Sequence, residues 1–267
     1  LFGKDLSEPD TLIEAVRHLT GDNPARIVDA RAIIDELDEM IGEAGDEEAG
    51  PLLVLRAQVD ALQLGTARIH LRVNAAQVRA VISRDLGLET EDRDLGRLAL
   101  QQLSQRAGES HTQAANFADL FLEQSTARRQ IMMSALWLKH IDTGSPIRFL
   151  IAEADTAFTV LAALYLAKLF GVEDKLDISP LFETSHALRH GHEVIAELLE
   201  NPHYRAYVKT RGRICIQFGY SDSGRYMGQV PASLAVERIR TKIARIIARH
   251  ALDVDLVIFD THGESIG

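Results

Sequence analysis

The sequence predicts an α/β chain, helix-rich in its first half and built from repeated strand–helix units in its second. Three observations carry this. Apolar residues recur at helical spacing through most of residues 11–140. From residue 147 the pattern changes to short apolar runs separated by longer amphipathic stretches. Three of those runs lead into short polar segments that carry an acid or a base: Pro180-Leu-Phe-Glu-Thr184, Tyr220-Ser-Asp-Ser-Gly-Arg225 and Phe259-Asp-Thr-His-Gly-Glu-Ser-Ile-Gly267. Strands that alternate with helices bring their C-terminal ends to one face of a barrel or open sheet. Polar residues gathered on that face read as a site rather than as packing.

Residues 11–20 and 26–42 place Ile27, Ile34, Leu37 and Ile41 on one helical stripe. The segment 43–51 is acidic and glycine-containing and reads as a linker, with Pro51 opening the next helix. That helix runs to Leu64, where Gly65 is a C-cap candidate. Residues 67–73 alternate as a strand, and Asn74 caps a helix reaching Leu86. Residues 92–107 and 113–140 read as two further helices. The repeating half then gives strands at 147–152, 175–179, 213–219 and 255–260. Helices lie between them at 155–171, 185–200, a short one from Pro202, and 230–250. The expected organisation is a mainly helical region over 1–140 with one early strand, followed by βα repeats over 147–267, in one continuous domain. The chain opens on Leu1 rather than Met and stops at Gly267 inside a polar turn. Both ends are expected to be cuts in a longer protein.

The 267 residues are 46% hydrophobic and 25% charged, the composition of an ordinary globular chain able to bury a sizeable core. A net charge of −10 argues against nucleic acid or an anionic membrane surface as partner. No apolar run is long enough for a membrane span. The single cysteine, Cys215, excludes an intrachain disulfide framework and fits a reducing compartment. Its apolar neighbours mark it as a buried, inert thiol.

Glu183 and Asp222 each follow a strand closely. Two carboxylates from neighbouring strand ends, completed by water and substrate oxygens, suit Mg²⁺ or Mn²⁺. They could instead be a pair of helix N-caps, a role for which Glu is poorly suited and for which Ser221 and Ser223 compete. Arg225 could grip a phosphate bidentately or stand free as a loop arginine. Asp260, His262 and Glu264 share the last turn. His262 is an acid or base candidate, and Gly263 leaves backbone open to an oxyanion. His186, His190 and His192 cluster on a helix, the first pair at i and i+4, a spacing that can bind zinc, but a solvated helix face is the better reading.

In order and spacing, these segments resemble the phosphoenolpyruvate carboxylase family. That family carries Pro-Leu-Phe-Glu-Thr, Gly-Tyr-Ser-Asp-Ser and Phe-His-Gly-Arg-Gly-Gly-Ser-Ile-Gly. Here the matching segments are Pro180 to Thr184, Gly219 to Ser223 and Phe259 to Gly267. The resemblance covers residues 147–267 well and the first half loosely. It implies a helix-rich (β/α) barrel of the phosphoenolpyruvate/pyruvate type, incomplete in this chain, in a cytoplasmic homotetramer. The implied reaction joins phosphoenolpyruvate and bicarbonate into oxaloacetate and phosphate, through carboxyphosphate and an enolate. It implies Glu183 and Asp222 as ligands of Mg²⁺ or Mn²⁺. Arg225, Ser221 and Gly263 become phosphate contacts, and His262, Asp260 and Arg225 the catalytic groups. Arg225 stands where the family has lysine. Asp260 falls on its catalytic histidine, His262 on its substrate-binding arginine, and Glu264 on a glycine. Ala76 falls on a further active-site arginine, and a Thr-Ala-His-Pro-Thr-Glu segment is absent. Two rivals stay open: a Mg²⁺-dependent barrel enzyme acting on another phosphorylated or 2-oxo acid, and a regulatory relative that binds metal and anion without turnover.

Overall fold

The structure, a computed structural model, describes residues 5, 7–65, 69–87, 97–109, 112–145 and 147–260, with positions 46, 97–100, 109, 221 and 260 described by their backbone alone. In chain order the elements are α1 (Pro9–Thr20), α2 (Arg31–Glu43), α3 (Asp46–Leu62), β1 (Ile69–Asn74), α4 (Ala75–Leu86), α5 (Arg97–Glu109), α6 (Phe117–Leu122), α7 (Thr126–His140) and β2 (Ile147–Ala152). They continue with α8 (Ala157–Leu169), β3 (Leu176–Phe182), α9 (Ser185–Glu200), α10 (Pro202–Arg211), β4 (Arg213–Phe218), α11 (Tyr220–Met227), α12 (Gln229–Arg249) and β5 (Asp255–Asp260). The protein is therefore helix-rich α/β with a five-stranded parallel sheet in the order β1-β2-β3-β4-β5. No described helix is long and apolar enough to cross a membrane.

The chain divides into two compact units. The first comprises Leu1–Arg68, Ala115–Leu122 and Met133–Ser145 and is helical where described. Its α2 and α3 pack as a pair, burying Ile34 and Leu37 of α2, with Arg56 bonded to Asp38 across them. Asp142 organises the loop that ends this unit, accepting from the backbone N–H groups of Gly65 (2.7 Å) and Gly144 (2.9 Å).

The second unit comprises Ile69–Ala114, Glu123–Met132 and Pro146–Gly267 and holds the sheet. Each strand pairs in parallel with the next, as expected where a helix returns the chain between them. β2 and β3 are buried along nearly their whole length, which is why they read as continuous apolar runs. β3 pairs with β2 as far as Pro180, opposite Ile151, and with β4 from Leu181, opposite Gln217. Proline has no N–H to donate, so it sits where the ladder changes partner. α8 is buried almost all round and packs against α4, α5, α9 and β3. The Tyr207 hydroxyl of α10 donates to the Leu176 carbonyl and accepts from the Ile178 N–H, both at 2.9 Å, pinning the start of β3. Cys215 lies buried in β4, where burial pushes its thiol up to about 11.

Several sequence expectations are corrected. The segment 43–51 is no linker: α3 starts at Asp46, and Pro51 lies inside it. Glu47 and Glu48 in its first turn complement the positive end of the helix dipole and outweigh the glycine and proline content. The helix expected from residue 26 begins at Arg31, because Asn23 and Asp29 turn the chain first, each accepting from a backbone N–H two residues on. The single helix expected over 113–140 is two, because Ser125 starts α7 afresh, its hydroxyl accepting from the Arg128 N–H and its carbonyl from the Arg129 N–H. Tyr220 to Arg225 is not a turn but most of α11. The Ser223 hydroxyl donates back to the Gly219 carbonyl at 2.8 Å and so sits inside the helix.

Candidate active site at the strand ends

β3 delivers Glu183 to the C-terminal edge of the sheet, and two glycines make room for it. Gly191 of α9 faces the Phe182 ring, where any added Cβ would lie 3.0 Å from ring carbons. Phe182 can thus seat under α9 and fix the strand end. Gly219 closes β4 opposite, its N–H donating to the Phe182 carbonyl at 3.0 Å. A Cβ there would fall well inside contact distance of the Glu183 Cβ and 3.1 Å from its Cα. Glu183 therefore occupies a notch that only glycine leaves open.

Neither Glu183 nor Asp222 is a helix N-cap. Thr184 caps α9, its hydroxyl accepting from the Ala187 N–H at 3.0 Å. Gly219 occupies the cap position of α11, and Asp222 lies in that helix's first turn. The blander role proposed for the two carboxylates is thereby removed.

Burial raises the Glu183 pKa above the ordinary carboxylate range. Arg72 opposes the shift, while Asp222, Glu153 and Asp155 add to it. Burial likewise raises Asp155, with His186 and Arg79 opposing and Glu153 adding. The strand ends thus collect carboxylates from the residues just after β2 and β3 and from the start of α11, balanced by few cations. Such a site favours a cation or a proton. Among the described residues no three acids or histidines form a ready-made metal cage. Mg²⁺ does not require one, since it is commonly held by one or two carboxylates with water and substrate oxygens. The all-oxygen donor set and the notch holding Glu183 fit Mg²⁺ or Mn²⁺.

Further groups hold the edge in shape. Asn74 ends β1 and caps α4 through a capping box with Gln77, while its side-chain amide donates to Glu153 at 2.8 Å. Glu153 has φ +57°, unusual for a residue with a Cβ, and sits in a tight turn closed by the Asp155 N–H on its carbonyl. Below the edge, Arg148 of β2 is buried, donating to Ser179 at 3.2 Å and Gln217 at 2.8 Å and stacking on the Phe259 ring. Burial lowers its pKa to about 10. Asp177, the acid that bears on it, already holds Arg211 and Arg213.

Arg225 is exposed on α11 and faces Asp222 at 3.7 Å, one helical turn away. The side chains of Ser221 and Asp260, and all of His262, Gly263 and Glu264, lie outside the described residues. The backbone of Asp260 ends β5 opposite Phe218. The three helix histidines separate. His186 and His190 stack with ring centroids 4.7 Å apart, while His192 turns to Lys242 of α12. Sequence reasoning missed Arg72, Glu153 and Asp155. For the two acids the signal was present, since Glu153 and Asp155 follow β2 as Glu183 follows β3.

A family model described as phosphoenolpyruvate carboxylase matches residues 124–267, which include β2 to β5. The phosphoenolpyruvate carboxylase of Pseudomonas putida (strain GB-1) is 28% identical over 233 residues, covering 82% of this chain and 24% of that protein. That of Hahella chejuensis (strain KCTC 2396) is 32% identical over 119 residues, covering 45% of this chain and 13% of that protein. That of Klebsiella pneumoniae (strain 342) is 30% identical over 145 residues, covering 54% and 16% respectively. The chain spans about a quarter of the length of the first of these relatives and less of the other two.

Proposed function

Because this chain belongs to the phosphoenolpyruvate carboxylase family, we propose that its strand-end site serves a lyase that carboxylates phosphoenolpyruvate with bicarbonate, giving oxaloacetate and phosphate for anaplerotic carbon fixation. The observation that carries this is the seating of Glu183, a carboxylate of raised pKa in a glycine-lined notch with Asp222 bearing on it. The unbroken parallel order β1 to β5 supports a (β/α) barrel of the phosphoenolpyruvate/pyruvate type as the complete fold. A cytoplasmic homotetramer belongs to the same proposal and rests on family membership alone.

Glu183 and Asp222 would hold Mg²⁺ or Mn²⁺, which when bound neutralises charge on phosphate and enolate oxygens. Arg225, swung from Asp222, would use its fork geometry to take two oxygens of one phosphate. Ser221 and the Gly263 backbone would add donors to it. His262, with Asp260 two residues before it, would hold a proton as imidazolium and so supply a cation where the family has arginine. Arg72 offsets the charge of Glu183. The test is bicarbonate-dependent oxaloacetate formation by the intact protein with Mg²⁺. Metal-dependent turnover supports the proposal, and its absence with phosphoenolpyruvate and bicarbonate saturating refutes it.

One observation favours a second reading. The pairing of Arg225 with Asp222 and the acid at position 260 suit a regulatory relative that binds metal and anion without turnover. Mn²⁺ binding without carboxylation would select it.

A further inference from the structure

α9 and α12 pack side by side and line a groove of about 440 Å³, within the size range of small-ligand sites. Its charge is one-sided. Arg189 lines it from α9, and Arg238 and Lys242 line it from α12, with Glu193 as the only carboxylate among the lining residues. Glu193 lies 3.3 Å from His190 Nδ1, which can donate to it. Arg238 and Lys242 are one helical turn apart, where like charges repel. Among the described residues Arg238 has no hydrogen-bond or ion-pair partner, and it is exposed.

The other two cations are aimed without being neutralised. Lys242 Nζ lies 3.0 Å from His192 Nε2. Burial, and then the Lys242 charge, hold the His192 pKa down, with Glu193 opposing, which favours the neutral imidazole that can accept from Lys242. Two Nζ protons of Lys242 stay available. Arg189 is braced on Ser185 through Nε and Nη2, which fixes its guanidinium and leaves Nη1 to donate. Leu188 and Leu234 give the cavity an apolar side, and Leu234 is 67% exposed.

We propose that this groove between α9 and α12 is a binding site for a phosphate group, held by Arg238, Lys242 and Arg189. Several cationic donors around one open volume, two of them held by neighbouring side chains, match a tetrahedral anion with several acceptor oxygens. Free phosphate and a small phosphate monoester share that chemistry, and the apolar side suits the carbon portion of the second.

Calorimetric titration of the intact protein at constant ionic strength tests this, with inorganic phosphate and glycerol 3-phosphate as separate probes. Saturable binding of at least one is expected, weakened about tenfold or more in Arg238→Gln/Lys242→Gln, since charge-assisted bonds are lost. Arg238→Gln alone, a change at an exposed position, is expected to weaken binding in the same direction and serves if the double variant does not fold. Equal binding of the two probes assigns the site to free phosphate, and tighter binding of the ester assigns it to an organic phosphate. No saturable binding up to about 10 mM overturns the proposal, as does binding unchanged in both variants. Binding lost in Arg225→Gln but kept in Arg238→Gln/Lys242→Gln also overturns it, because the anion then sits at the strand ends. None of these results depends on turnover, so this site and the proposed reaction stand or fall separately.

Discussion

Replacing Gly219 by Ala adds one methyl group where β4 ends, and the effect should reach Glu183 directly. The backbone at Gly219 has φ −87° and ψ 78°, so no left-handed strain is involved. The cost is steric. The new Cβ would sit well inside contact distance of the Glu183 Cβ and 3.1 Å from its Cα, while carbon pairs prefer about 3.5–4.0 Å. These atoms belong to a strand end and cannot rotate away. The Gly219 N–H also bonds the Phe182 carbonyl, so the strands must part by about 1 Å to relieve the clash. Overpacking of this kind destabilises by about 1–3 kcal/mol. A 1 Å displacement of a reacting or ligating group costs about 100-fold in rate. The expected result for Gly219→Ala in the intact protein is a folded chain with a modest loss in urea stability. Mn²⁺ affinity should fall sharply, and oxaloacetate formation should drop about 100-fold. Wild-type metal affinity and turnover in a folded variant would refute the assignment of Glu183.

Four other outcomes follow from the packing. The Glu183 pKa is raised by burial, so Mn²⁺ competes with a proton, and affinity should fall about tenfold per pH unit below that raised value. Without metal, the folded state binds the extra proton, so stability should decline as pH rises from the ordinary carboxylate range through the raised pKa. Glu183→Gln should flatten that slope, and denaturation midpoints across pH would show it. Asp177→Asn leaves Arg211 and Arg213 without the carboxylate they share at 2.6 and 2.8 Å and should cost about 3 kcal/mol in urea unfolding while leaving Mn²⁺ affinity intact. Tyr207→Phe strands two buried backbone groups of β3 and should cost about 1–3 kcal/mol, with a smaller loss pointing to a water taking the hydroxyl's place.

The second half of the fold was legible because its strands are short apolar runs and its helices are amphipathic or apolar. β2, α9 and β4 fall close to where the period places them. Composition misled where a local bond decided the outcome. Gly50 and Pro51 suggested a linker, yet α3 runs through them. Nothing in Glu123-Gln-Ser125 breaks a helical pattern, but the Ser125 cap divides it. The serines and glycine of 220–225 resemble a turn, yet Ser223 folds its hydroxyl onto Gly219. Glu183 and Asp222 were readable from their places after strands. The roles of Gly191 and Gly219 were not, because each glycine is defined by what lies across the fold from it. Gly191 serves the Phe182 ring, and Gly219 serves a side chain 36 positions earlier, 219 − 183. The contribution of Arg72 was hidden for the same reason, since its charge matters only once β1 lies beside β2 and β2 beside β3.

Titration of the intact protein with Mn²⁺, followed by electron paramagnetic resonance of the free ion, tests the shared carboxylate site most directly. Glu183 and Asp222 are expected to define one site, lost in Glu183→Gln and equally lost in Asp222→Asn, while both variants stay folded. Tight Mn²⁺ binding that survives either substitution would contradict the account.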